Sequence, residues 1–96
     1  MANPEHLQEL QKGVESWNRW KHEHPQTWPD LSGADFTRAN LGGANLGWTD
    51  LTQADLHGAD LTGADLHWAN LGGVGLNRAK FSYRSLVQPA EAPGIL

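Results

Sequence analysis

From Asp30 to Arg84 the chain repeats every five residues without a gap: DLSGA, DFTRA, NLGGA, NLGWT, DLTQA, DLHGA, DLTGA, DLHWA, NLGGV, GLNRA and KFSYR. A large apolar residue keeps one phase throughout, at Leu31, Phe36, Leu41, Leu46, Leu51, Leu56, Leu61, Leu66, Leu71, Leu76, Phe81 and Leu86. Two positions before most of these lies a small residue: Ala34, Ala39, Ala44, Ala54, Ala59, Ala64, Ala69 or Ala79, with Thr49 and Val74 as variants.

Neither regular element tolerates this period. An α-helix turns about 100° per residue, so each member of the series would be rotated by about 140° from the last and no apolar face would form. In a flat strand, side chains alternate, so an odd spacing throws successive leucines to opposite faces and places most of the glycines in strand interiors. The period suits a chain that bends once per repeat, with the leucine and the small residue two before it pointing to one axis. That is a solenoid of short strands and turns in which each coil contacts only its neighbours. The small residue follows from the narrowness of the tube, which has no room for two large side chains per bend.

The motif A-[DN]-L-x-x resembles the pentapeptide repeat family, over residues 29 to about 86. The resemblance implies a mainly β fold, a right-handed quadrilateral β-helix. With four repeats per coil, residues 20 apart stack. About three coils then rise roughly 14 Å at a strand spacing of about 4.8 Å. The expected division is a capping helix and linker over 1–28, the repeat β-helix over 29–86 and a C-terminal tail over 87–96.

Before the repeats, Asn3-Pro4-Glu5 reads as a helix start: an N-cap, a proline where its missing N–H is harmless, and an acid at the positive end of the dipole. Leu7, Leu10, Val14 and Trp17 follow as one apolar stripe, and Pro25 disfavours helix at His24. This predicts one amphipathic helix lying as a lid on the first coil, where unpaired edges would otherwise meet water. Its mixed charges, Glu15, Arg19, Lys21 and Glu23, do not make a basic membrane-binding face. At the other end the pattern decays through Gly75, Lys80, Tyr83 and Arg84 into VQPAEAPGIL. Either this tail folds across the last coil, or that coil pairs end to end with a second copy, as the resemblance implies for members with a bare terminal coil.

The chain has a formal charge of −4 and scattered basic residues, which does not suit direct nucleic-acid binding. It has no cysteine, which excludes disulfides, thiolate metal sites and a cysteine nucleophile. The opening lacks a charged and then apolar leader, and no apolar run approaches the length of a membrane span; a cytoplasmic protein without membrane insertion is expected. A leucine-filled tube offers no pocket for catalysis. His57 and His67 fall on opposite sides of a four-sided coil, and His22 and His24 diverge on a helix, so no metal site is expected. Neither catalytic residues nor a cofactor are expected, and the protein is read as no enzyme.

The acids stack in columns, Asp30, Asp50 and Asn70; Asp35, Asp55 and Gly75; Asn40, Asp60 and Lys80; Asn45, Asp65 and Ser85. Side chains of this type hold turns through bonds to their own backbone. The resemblance also offers a functional alternative, since some such proteins act on DNA gyrase by mimicking duplex DNA. Duplex DNA carries one charge per about 1.7 Å, far denser than these columns, and Arg38 and Arg78 interrupt one wall.

Trp48 and Trp68 are spaced by 20 and should sit one above the other on one wall; Trp28 is 20 earlier again and joins them in a column if the chain is already in register at Thr27-Trp28-Pro29. Such a column is either an internal aromatic stack, with Trp28 wedged under the helix, or an exposed apolar strip on which a partner docks. The favoured functional expectation is a non-enzymatic interaction or scaffold module for a protein partner, similar to short cyanobacterial pentapeptide repeat proteins. The alternative is a DNA-mimic regulator of gyrase or topoisomerase.

Overall fold

A computed structural model of the chain describes residues 1–82. The side chain of Asn3 accepts the amides of Glu5 and His6 and opens α1 (Pro4–Gln11). The single expected helix is in fact two, because Gly13 takes φ 120° and ψ 163°, a conformation open to glycine, and starts α2 (Val14–Glu23). The apolar spacing survives the break: Leu10 and Trp17 are buried, and Leu7 and Val14 pack against the same core. α2 ends at His24, before Pro25.

From Asp30 onward the chain closes a coil every 20 residues. Asp30 bridges Asp50 in parallel, as do Asp35 and Asp55, Asn40 and Asp60, Asn45 and Asp65, Asp50 and Asn70, and Asp55 and Gly75. Each side of a coil is tied to the next by amides before, at and beyond the leucine: Asp55 to the carbonyl of Ala34, Phe36 to that of Asp55, and Arg38 to that of His57, at 2.7–2.9 Å. Among the described residues the expected short strands shrink mostly to single bridging residues. Only β1 (Asp60–Leu61) and β2 (Lys80–Phe81) reach two, paired in parallel. The cause lies in the remaining residues of each repeat, which are spent on a turn.

That turn is the same in every repeat. The amide of Ala34 returns to the carbonyl of Leu31, and the equivalent bond recurs through Ala79 to Leu76. The third residue of each turn has positive φ, as at Gly33, Arg38, Gly43, Trp48 and Gln53. This is the signature of a type II turn, in which glycine is the least strained occupant.

Leu31, Phe36, Leu41, Leu46, Leu51, Leu56, Leu61 and Leu66 are buried, with Ala34, Ala44, Ala54, Ala59 and Ala64 between them. The expectation of one continuous core stops there. Leu71 and Phe81 are partly buried and Leu76 is 36% exposed, because they belong to the last coil described. Leu86 and the tail over 87–96 lie outside the described residues.

Candidate interaction surface

At all nine positions where an Asp or Asn precedes the apolar residue between Asp30 and Asn70, Oδ1 accepts the amide two residues ahead. The motif therefore uses Asp and Asn interchangeably, as a side-chain acceptor that pins the turn. Ser32, Thr37 and Thr52 add their hydroxyls to the same oxygen. The Ser32 hydroxyl and amide hold the Asp30 carboxyl below the usual carboxylate range, and Thr37 and Thr62 do the same for Asp35 and Asp60. The acid columns are thus engaged in holding the coil.

The tryptophans do not share this role. The ring centroids of Trp28 and Trp48 lie 5.7 Å apart at an interplanar angle of 13°, and those of Trp48 and Trp68 lie 5.5 Å apart at 16°. His67 meets Trp48 edge-on, and its Nδ1 bonds the Asp65 carboxylate. The indoles remain exposed, Trp28 by 71%, Trp48 by 46% and Trp68 by 45%. Trp28 is not wedged under the helices: that place is taken by Trp17, which stacks on Trp20 at 5.2 Å. Trp48 and Trp68 have φ 60° and 61°, where a side chain costs about 1–2 kcal/mol relative to the right-handed region. Stacking returns about 0.5–1.5 kcal/mol per pair, so the two effects nearly cancel. An open depression of about 460 Å³ runs beside the column, lined by Trp28, Pro29, Asp30, Trp48, Asp50, Trp68 and Asn70 among others.

The helices meet the first coil through residues that sequence reasoning did not single out for this role. Asn18 accepts the amide of Asn45 and donates to the carbonyl of Gly43, and Lys21 donates to that of Gly47. The amide of Asp30 donates to His6 Nδ1, and the amide of Asn3 to the Asp30 carbonyl. Trp17, expected only as apolar filling, also donates its Nε1 to the Asn45 carbonyl at 2.7 Å. Burial pushes the Lys21 ammonium pKa down, opposed by Asp65. The only signal in sequence was a polar residue beside each apolar one, which any surface helix shows.

Among the described residues, no group of three His, Asp or Glu side chains is placed to hold a metal ion. Two further open depressions, of about 470 and 290 Å³, lie against the wall of Asp55 and His57 and between Leu10, Gly13 and the first coil. No helix of the described residues is long and apolar enough to cross a membrane.

The profile of the family described as pentapeptide repeats matches in 8 copies over residues 30–67 and 59–83. The chain belongs to the pentapeptide repeat family, whose members are generally structural or interaction modules. Among solved structures, it is similar to a pentapeptide repeat protein, Rfr23, from the cyanobacterium Cyanothece 51142. The identity is 36% and the TM-score 0.54, over 56% of this chain and 37% of that one. The match thus takes in well under half of that relative's length. Family and neighbour together imply a right-handed β-helix. No curated protein matches the chain.

Proposed function

We propose that this protein is a four-sided right-handed β-helix of about three coils, capped by its N-terminal helices, that works without catalysis as a docking module for a protein partner. The candidate surface is the wall of Trp28, Trp48 and Trp68. The observation that carries the reading is the exposure of three stacked indoles, 45–71% each, on an otherwise polar wall. Tryptophan anchors dominate interface energetics, and a contiguous apolar patch on a small domain marks an interaction site. A cytoplasmic location suits a chain free of cysteine. Self-association through the last coil belongs to the same proposal, supported by the exposure of Leu76 and the partial exposure of Leu71 and Phe81.

The test compares wild type with Trp48→Ala/Trp68→Ala as bait in lysate, alongside their melting temperatures. A partner lost at unchanged melting temperature supports the docking wall; a partner kept at lowered melting temperature leaves the column a purely internal stack. The competing gyrase reading is weakened by the sparseness of the charge, since no column carries more than two carboxylates and Asn40, Asn45 and Asn70 stand uncharged in them. A supercoiling assay showing inhibition at micromolar protein would revive it. Sedimentation equilibrium of wild type and Leu76→Glu reports on self-association.

A further inference from the structure

The wall of tryptophans also carries information about what docks on it. Trp48 has a neighbouring indole on each face, so it shows the outside mainly its edge. Trp28 begins the column and is the most exposed of the three, with a face turned away from Trp48. Asp30 and Asp50 line the same groove. In both, Oδ1 takes the turn amide and hydroxyl, whereas Oδ2 accepts no hydrogen bond from the described residues. An aromatic ladder therefore stands beside a carboxylate ladder with the same coil spacing.

The charges around the groove are unequal. Asp30 and Asp50 lie in it, and Asn70 continues their column without charge. Lys21 donates to the Gly47 carbonyl and is attracted by Asp65. His6 and the amino terminus approach Asp30. Phosphate-bearing ligands meet the carboxylates unfavourably. A sugar would find only the outer Trp28 face open to it, whereas a cationic ligand gains the charge of Asp30 and Asp50 as well.

We infer that the groove takes an extended, arginine-bearing segment of a protein partner, its guanidinium groups pairing with the free oxygens of Asp30 and Asp50 and one of them lying on the outer face of Trp28. Guanidinium is planar, stacks on indole and pairs with carboxylates in a bidentate fork, which the compact ammonium of lysine does not do. The inference rests on the docking wall proposed above and names the chemistry of its partner.

The probe is a fluorescein-labelled peptide of alternating arginine and glycine, with lysine and glutamate versions as controls, followed by anisotropy. Wild type is expected to bind the arginine peptide saturably and more tightly than the lysine peptide. Trp28→Ala and Asp30→Asn/Asp50→Asn should each weaken binding by about tenfold. The Asn variants keep the fold, since Asn40, Asn45 and Asn70 make the same turn bond. Asp35→Asn/Asp55→Asn removes equal charge from the adjacent wall and should leave binding unchanged. Absence of saturable binding, equal loss in the Asp35/Asp55 pair, or equal affinity for the glutamate peptide or for single-stranded DNA overturns the inference. A lysate partner that depends on Trp48 and Trp68, with no arginine-peptide binding by wild type, would retain the wall and discard its arginine chemistry.

Discussion

The indole Nε1 of Trp17 donates to the carbonyl of Asn45 at 2.7 Å, joining α2 to the open edge of the first coil from a side chain with no exposed surface. One residue thereby supplies both apolar cover and a hydrogen bond to a strand edge.

Trp17→Phe keeps most of the cover and removes the donor. It should lower unfolding free energy by about 1 kcal/mol, the cost of leaving a part-buried carbonyl without its indole donor. Trp17→Ala should cost about 3–5 kcal/mol. Urea unfolding followed by circular dichroism gives both values, and equal losses for the two variants would show the bond to be unimportant.

The turn geometry makes a second contrast. Gly63 has φ 75°, and an added Cβ would lie 3.8 Å from the Gly43 backbone, so space is sufficient and only the backbone is strained. Gly63→Ala should cost about 1–2 kcal/mol. Gln53, at φ 58°, already bears that strain. Gln53→Gly should show no comparable loss by thermal melting.

A third contrast separates charge from turn. Asp50→Ala removes the acceptor of the Thr52 amide and hydroxyl and should destabilise by about 1 kcal/mol. Asp50→Asn should stay close to wild type in the same melting experiment.

Acid should weaken the coil in a defined window. Asp30, Asp35 and Asp60 have carboxyls held below their ordinary values, first by side-chain hydroxyl bonds and then by backbone amides. A folded-state value below the unfolded one contributes stability that is complete above the unfolded value, near pH 4, and is lost as pH falls through the folded one. Melting temperature should therefore lose nothing from these three groups between pH 7 and about pH 5 and then decline. Asn at all three positions should flatten that decline.

The five-residue period made the coil legible because leucine, the small residue and the turn acceptor each have a single physical use at their position. The register of Trp48 with Trp68 followed from the same count, that of Trp28 depended on the chain being in register before the first repeat, and the stack of all three is found. The helix break was hidden: Gly13 leaves the apolar spacing of Leu10, Val14 and Trp17 intact, so periodicity alone runs straight through it. The edge contacts of His6, Asn18 and Lys21 were hidden for another reason. They depend on where two elements dock, and polar residues on a short helix look alike until a partner carbonyl or amide is placed beside them. The lower burial of Leu71, Leu76 and Phe81 likewise belongs to their place in the last coil described, which no single repeat encodes.

Because Asn40, Asn45 and Asn70 pin their turns through the same oxygen that aspartate uses, slow hydrolysis of their amides would pass unnoticed by the fold. An aged sample in which all three had deamidated directly to aspartate would migrate as a more acidic species in isoelectric focusing while melting like a fresh one. Conversion of Asn70 would also extend the carboxylate ladder beside Trp68, so chemical age could alter recognition on that wall before it altered shape.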